Sequence, residues 1–479
     1  MKKFGIFSLV FIFMVSVCSL SVYAQAAAGS ESEQQTSTVA TVPQVQVTES
    51  FGIDSKVTML GEKRLVKNLK SAIIYEANSD TLMYTWNADN QMFPASFVKI
   101  ITALVAITEG NLQDVVTVSE GAVASVPLGA VSAELVPGEE ITLEDLLYCL
   151  LLGSANDAAV VIAEHISGSE AAFVELLNKF AEELGCKDSH FINAHGLHSQ
   201  QQYTTARDSA RILAAAIENE AFYKIFTATK YTVNETNKSP LRNLISGNLL
   251  MDPASKLYYD SRVVGGRTGV TEDGRRCLAT VAENNGMQLI TVVMGADSVY
   301  QEDGTSAISI GGYQETTALL DAGLSGYKTA QILYNGQVLR QFDVENGNSS
   351  LLVGTDASVT TILPENATLN DLSFQYRDVH YEAPIEKGEK VSVLEVWHQN
   401  MCVAKVDLLA MNAVSVKQVD SNDSTDKQMN ALPTVISIII GVIVLAFAGL
   451  FSIRMYGKIR FMLAKKHSRQ YRRSRRRSR

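Results

Sequence analysis

The sequence predicts an α/β (α+β) domain, an antiparallel sheet around a helical middle, followed by a small all-β module and a C-terminal transmembrane helix. Three observations carry that expectation. Strand-like runs at Ser71 to Tyr75, Thr81 to Trp86, Arg276 to Ala282 and Gln288 to Met294 flank a helical stretch from Thr142 to about Ala216. From about Tyr327 to Gln418 the pattern changes to short alternating segments such as Gln331 to Leu333 and Val391 to Trp397, broken by the turn pairs Asn335-Gly336 and Lys387-Gly388. Finally, Leu432 to Ile453 is almost continuously apolar and long enough to cross a bilayer core of about 30 Å.

The elements follow in chain order. Lys2 and Lys3, the apolar run Phe7 to Val17 and the small residues Ala24 and Ala26 make a secretory signal peptide over 1–26. Val17 is too bulky to precede a lipid-attachment cysteine, so Cys18 reads as part of the signal core. Residues 27–66, rich in Ser, Thr, Gln and Val without helical period, predict a flexible leader. An ordered domain is expected over 67–325, opening on a hairpin across Asn78-Ser79-Asp80 and closing on one across Asn284-Asn285-Gly286. The β-rich module spans 326–418, a linker 419–431, the transmembrane helix 432–453 and a tail 454–479.

Charge places the bulk of the chain. The tail holds twelve Lys and Arg from Arg454 to Arg479 and no acidic residue, so it is expected in the cytoplasm, with the N-terminal bulk outside. With Lys2 and Lys3, fourteen of the 41 basic residues lie at the two ends against 51 acidic ones overall, leaving the exported part at about −24. Such a surface repels nucleic acid. Cys149, Cys186, Cys277 and Cys402 match no zinc spacing, and the apolar settings of Cys149 and Cys277 favour buried free thiols over disulfides. No metal is assigned.

Three segments carry chemistry. Ser96 and Lys99 lie three residues apart at the start of an apolar-periodic helix (Phe97, Ile100, Ile101, Leu104, Ile107), so a hydroxyl and an amine share one face. A serine attacks carbonyls only when a base within hydrogen-bond reach takes its proton. The bland reading is that Ser96 caps the helix. Ser154-Ala155-Asn156 follows a helix ended by Gly153, which would project a hydroxyl and an amide into a cleft; here too capping of the next helix is the alternative. Gly265-Gly266-Arg267-Thr268-Gly269-Val270 offers accessible backbone beside a cation and a hydroxyl able to hold a carboxylate, or else a turn with an exposed arginine.

Taken in order, Ser-Xaa-Xaa-Lys, Ser-Xaa-Asn and basic-Thr-Gly resemble the motif set of the penicillin-binding protein and serine β-lactamase superfamily. Ala194-His195-Gly196-Leu197, Tyr203-Thr204-Thr205-Ala206-Arg207-Asp208, and Leu184-Gly185 ahead of Phe191-Ile192-Asn193 narrow the likeness to the low-molecular-mass D-alanyl-D-alanine carboxypeptidases of the S11 type, strongly over about Lys67 to Gly295. The resemblance implies a transpeptidase-like fold, no cofactor, peptidoglycan pentapeptide stems as substrates and β-lactams as covalent inhibitors. It makes Ser96 the acylated nucleophile, Lys99 its base and Ser154 a proton relay to the departing amine. Asn156 would hold the substrate amide and orient Lys99, while Arg267, Thr268 and Gly269 would bind the terminal carboxylate region. The backbone N–H groups of Ser96 and Val270 would form the oxyanion hole. The family usually carries lysine where this chain has Arg267, which keeps the charge but adds a wider, permanently protonated fork. Two other readings are a noncatalytic cell-wall or penicillin-binding protein and a β-lactamase. The second would need a glutamate that activates water, and Glu175-Leu176-Leu177-Asn178 reads instead as surface helix.

Overall fold

The computed structural model describes residues 52–417 apart from 57, 274, 302–306 and 378. The expected signal peptide, most of the leader, the linker, the transmembrane helix and the basic tail lie outside the described residues. Among the described residues no helix is long and apolar enough to cross a membrane.

A five-stranded antiparallel sheet is the backbone of the first domain. Its strands are β1 (Ser71–Glu76), β2 (Thr81–Trp86), β3 (Val263–Val270), β4 (Arg276–Asn284) and β5 (Met287–Ala296), in the order β2-β1-β5-β4-β3. Antiparallel sheets often wet one face, and strict alternation would then be expected. Here β1 and β5 are buried along their whole length, because helices cover both faces. Ile73, Val281, Ile290 and Val292 point into one core, Ala72, Ile74, Leu289 and Val293 into another. Period-two alternation therefore sorts apolar side chains between two cores rather than between core and water.

The first core is the larger. It joins one sheet face to α1 (Val98–Glu109), α2 (Leu143–Leu151), α3 (Asn156–Ser167), α4 (Glu170–Glu183), α5 (Ala206–Ile217) and α6 (Glu220–Phe226). α1 is buried at every position from Val98 to Ala106, so it runs through the domain as a central rod. The second core lies under α7 (Tyr313–Leu324) with Tyr313, Leu319 and Leu320 fully packed. Cys149, Cys186 and Cys277 are buried free thiols, and Cys402 is a half-buried one.

The second module starts at Tyr327. Its five-stranded antiparallel sheet runs Val338–Phe342, Leu351–Gly354, Met401–Ala410, Lys390–His398, Leu372–Tyr376 in spatial order, with a separate pair Tyr327–Leu333 and Val359–Pro364, around its own apolar core.

One boundary is corrected. The leader expected to stay unpatterned to residue 66 is already packed from residue 52. Ile53 is buried, Asp54 pairs with Arg211 at 2.5 Å, the Arg207 guanidinium donates to the Ile53 carbonyl, and Leu60 N–H reaches Met83 O at 2.9 Å. The polar composition of this stretch hid the few apolar side chains, Ile53, Met59 and Leu60, that dock it.

Candidate active site

Pro94 and Ala95 lead into a single 3-10 turn, Ala95–Phe97, which runs directly into α1. Ser96 thus sits one turn ahead of the helix rather than capping it, since neither helix start receives a side-chain cap bond. Ala95 has φ +47°, a left-handed conformation that costs an alanine roughly 1–2 kcal/mol. Strain of this kind persists where surrounding structure imposes it, and here the imposing contacts are visible. Gly196 lies so close that a Cβ there would come within 1.9 Å of the Ala95 carbonyl oxygen, and a Cβ at Gly269 would stand 3.1 Å from Ser96 N. The nucleophile turn is clamped between the Gly196 loop and β3.

Lys99, on the first turn of α1, is 1% exposed. Its Nζ lies 3.5 Å from Ser96 Oγ, donates to Asn156 Oδ1 at 2.8 Å and donates to the His195 carbonyl. Burial drives its pKa well below the ordinary amine value, the Arg267 charge pushes it further down, and Asp157 opposes both. A neutral amine has two N–H bonds and one lone pair. Asn156 and His195 accept the two hydrogens, which leaves the lone pair for the Ser96 hydroxyl.

The second segment is built by a loop-to-helix junction. Ser154 has φ +61°, and the following α3 starts at Asn156 with Ala155 as an uncapped N-cap. The capping alternatives for Ser154 and Asn156 are therefore not realised. Asn156 instead spends Nδ2 on Val131 O at 2.8 Å and Oδ1 on Lys99. Val131 is fixed by the neighbouring Asp157, whose carboxylate accepts from Ser132 Oγ at 2.7 Å, Ala133 N at 2.9 Å and Leu135 N at 3.1 Å. A second anchor for the same loop is the buried Glu139 carboxylate, held in a fork by Arg242 at 2.6 and 2.8 Å.

Arg267 was open to being an exposed turn residue. It lies instead within strand β3, is 5% exposed, and donates from Nη1 to Leu151 O at 2.7 Å and from Nη2 to Ser154 Oγ. Its Nε has no partner, and no carboxylate pairs with it among the described residues. Burial pulls its pKa down to about 10, so it remains a cation at neutral pH. An unpaired buried cation in an acidic protein is poised for an anion. Strand alternation sends the Thr268 side chain to the opposite face from Arg267, so the two residues do not form a single fork.

β3 is an edge strand. Thr271 N–H bonds Arg275 O at 2.8 Å, and Val270 stands opposite Arg276, so alternation turns the Val270 and Thr268 N–H and C=O groups away from β4 toward the open edge. The Val270 N–H thereby faces the open edge of the strand that packs, at Gly269, against the nucleophile turn.

Ser96, Lys99, Ser154, Asn156, Arg267, Gly269 and Val270 are thus brought to one cleft. Sequence reasoning missed the backbone carbonyls of His195, Leu151 and Val131, because carbonyls leave no residue-type signature. The glycine following His195 was the available hint, and the structure places it at φ +82°. Glu175 lies on the exposed face of α4.

The His195 side chain is itself largely withdrawn from water, 12% exposed. Leu197 N–H donates to its Nδ1 at 3.1 Å, which puts the neutral proton on Nε2, 3.6 Å from Glu170 Oε1. Burial first, and Lys99 second whenever it carries its proton, lower its pKa from 6.5 to about 4. Between those values the unfolded chain binds the proton and the folded one does not, so stability present above pH 6.5 is lost as pH falls toward 4. His195→Gln is expected to remove that dependence, on the order of 3 kcal/mol, from denaturant-unfolding curves recorded across the window.

Comparison with known proteins follows the same residues. The sequence model of the Peptidase S11 family, D-alanyl-D-alanine carboxypeptidase, matches residues 62–298, and that of the penicillin-binding protein 5 C-terminal domain matches 327–416. The Bacillus subtilis D-alanyl-D-alanine carboxypeptidase DacF is 30% identical over 357 residues, 72% of this chain and 87% of the relative. The Escherichia coli D-alanyl-D-alanine carboxypeptidase DacA is 30% identical over 339 residues, 68% of this chain and 78% of the relative. Among solved structures, penicillin-binding protein 5 from Haemophilus influenzae superposes with a TM-score of 0.63 at 27% identity, covering 74% of this chain and all of that one. With catalytic-domain and C-terminal-domain matches in the same order as its two modules, this chain belongs to the D-alanyl-D-alanine carboxypeptidase family of serine peptidases, S11.

Proposed function

We propose that this chain is a penicillin-binding, serine-type D-alanyl-D-alanine carboxypeptidase that removes the terminal D-alanine from peptidoglycan pentapeptide stems. The observation that carries the reading is the buried Lys99 amine, hydrogen-bonded to Asn156 beside Ser96, with the unpaired Arg267 cation close behind.

The substrate lies along the open edge of β3, its penultimate carbonyl oxygen facing the Ser96 and Val270 N–H groups. Neutral Lys99 takes the Ser96 proton as Oγ attacks that carbonyl carbon, and the negative charge collects on the oxyanion. Ser154, whose oxygen accepts from Arg267, passes its own proton to the departing amine and takes in exchange the proton that Lys99 removed from Ser96, so both groups return to their starting state. The terminal carboxylate draws toward Arg267, with Thr268 and Gly269 on the strand beside it. Collapse expels D-alanine and leaves an ester on Ser96, which water cleaves to return the hydroxyl and the shortened stem. Asn156 acts chiefly by orienting Lys99, its remaining N–H being available to a substrate amide. A β-lactam would acylate Ser96 in the same way.

Glu175 is exposed on the outer face of α4, which removes the one residue considered as a deacylating carboxylate and supports this reading over a β-lactamase. The noncatalytic alternative keeps the fold without turnover. Export and anchoring belong to the same proposal: the signal-like 1–26, the apolar 432–453 and the basic tail support a single-pass membrane protein with its catalytic domain outside the cell and its tail in the cytoplasm. A chain ending at residue 418 is expected in the soluble extracytoplasmic fraction; its retention by membranes would contradict the anchor.

The direct test is D-alanine release from a peptide ending in D-Ala-D-Ala. Ser96→Ala should abolish release and the labelled-penicillin adduct, Arg267→Ala should lower kcat/KM by about 10²-fold or more, and Arg267→Lys should retain more activity than Arg267→Ala. Equal release by the parent and Ser96→Ala would defeat the enzymatic reading, and an Arg267→Ala variant as active as the parent would remove Arg267 from the site.

A further inference from the structure

The segment that leads into β1 carries a strip of positive charge on a protein that is acidic overall. Lys56, Lys63, Arg64, Lys67 and Lys70 are all exposed, and Glu62 is the only acidic residue from 56 to 70. We propose that this strip binds a linear, flexible phosphodiester polymer outside the cell. The inference goes beyond the peptidase reading and uses none of its catalytic residues; it shares with that reading only the extracytoplasmic placement.

The strip belongs to no helix or strand, yet its backbone is pinned along its length. Leu60 N–H donates to Met83 O at 2.9 Å, Leu65 N–H to Tyr84 Oη at 3.1 Å and Lys70 N–H to Met294 O at 3.0 Å, while Lys70 O accepts from Asn87 Nδ2 at 3.1 Å. Leu69 is buried, and Val66 packs on the second core. Arg64 serves as the brace: it donates to Val66 O at 2.9 Å and to Leu69 O at 3.0 Å, and its guanidinium stacks 5.1 Å from the centre of the Trp86 ring. The backbone is thus ordered before any ligand arrives. Elsewhere many cations are already paired, Arg207 with Asp89, Arg211 with Asp54, Arg242 with Glu139. Among the described residues no carboxylate pairs with Lys56, Lys63, Lys67 or Lys70. Four ammonium heads are therefore free. As point charges they impose no planar geometry, which suits repeated phosphates on a flexible chain.

Position decides the class of partner. The strip follows β2 upward from Met83 and ends at Lys70, beside Ser71, which opens β1 opposite Met294. That is the end of the sheet where β3 finishes at Val270, opposite Arg276. The β-rich module attaches at the other end, where Gly286 in the β4–β5 turn approaches Thr329. Lys67 and Lys70 therefore stand at the active-site end, away from the module that precedes the apolar segment 432–453 in the chain. This favours a polymer in the wall over the headgroups of the bilayer. A nucleic-acid duplex is a broad rod that would meet the acidic surface beside the strip, whereas a thin chain can follow the lysines alone. With a screening length of about 8 Å at physiological salt, such a chain responds to the strip ahead of the net charge.

The test is acetylation of lysines in the full-length protein, held in neutral-lipid nanodiscs and read residue by residue by mass spectrometry, with and without a synthetic glycerol-phosphate polymer. Reading each lysine separately keeps the basic tail out of the result. The polymer should protect Lys56, Lys63, Lys67 and Lys70 and leave the exposed Lys187, Lys238 and Lys387 reactive. Four neutralised charges predict a log–log salt slope of about −3, so doubling the salt should weaken the protection about sevenfold. In the triple variant Lys63→Gln, Lys67→Gln, Lys70→Gln the protection of Lys56 should disappear, with an unchanged far-ultraviolet circular dichroism spectrum showing that the fold is intact. A strip left unprotected by the polymer, protection spread equally over the three control lysines, or protection of Lys56 that survives in the triple variant would overturn the proposal. So would protection that needs anionic lipid in the disc and is absent with the polymer, which would assign the strip to the bilayer instead. None of these outcomes touches the peptidase reading, which stands or falls on D-alanine release.

Discussion

The structure depends on keeping one amine out of water. Lys99 is a long cation-forming side chain placed at the start of a helix buried without a break from Val98 to Ala106, where an ammonium would be expensive and a neutral amine is tolerated. Much of the surrounding architecture serves that placement. Asn156 supplies an acceptor from α3, His195 supplies a carbonyl from a loop held by Gly196, and Arg267 adds a second positive charge from β3 that opposes protonation. Three separate stretches of chain therefore converge because each contributes one term to the state of a single nitrogen.

That convergence explains where strain is stored. Ala95 and Ser154 are both non-glycine residues in the left-handed region, and they flank the cleft from two sides. The glycines do the reverse, removing bulk so that backbones can meet. A Cβ at Gly265 would lie 2.7 Å from the Phe226 ring, one at Gly266 2.4 Å from Asn248 Nδ2, and one at Gly196 1.9 Å from a carbonyl oxygen. The site is tight because side chains were omitted at these positions.

Much of this was legible in the sequence, and the reasons differ by element. The hairpins of β1–β2 and β4–β5 announced themselves through β-branched and aromatic runs around polar turns, and α1 through its apolar period. Ser96, Lys99, Ser154, Asn156 and Arg267 were recognisable as three ordered motifs. β3 was less visible as a strand, since Gly265, Gly266 and Gly269 depress strand propensity while being required for close approach. Residues 52–66 looked like leader because their docking rests on a few apolar residues and on Asp54, too sparse a pattern to show a period. The backbone carbonyls that hold Lys99 and Arg267 have no letter of their own. Sequence could also suggest that Arg267 and Thr268 act as one clamp; only strand alternation separates them onto opposite faces.

The account stands or falls on the protonation state of Lys99. Nuclear magnetic resonance titration of the protein with labelled lysine side chains, with the Lys99 signal assigned by its loss in Lys99→Met, reads that state directly. The account predicts a midpoint well below the ordinary lysine value of about 10.4. A Lys99 resonance that titrates at about 10.4, alongside the surface lysines, would contradict it.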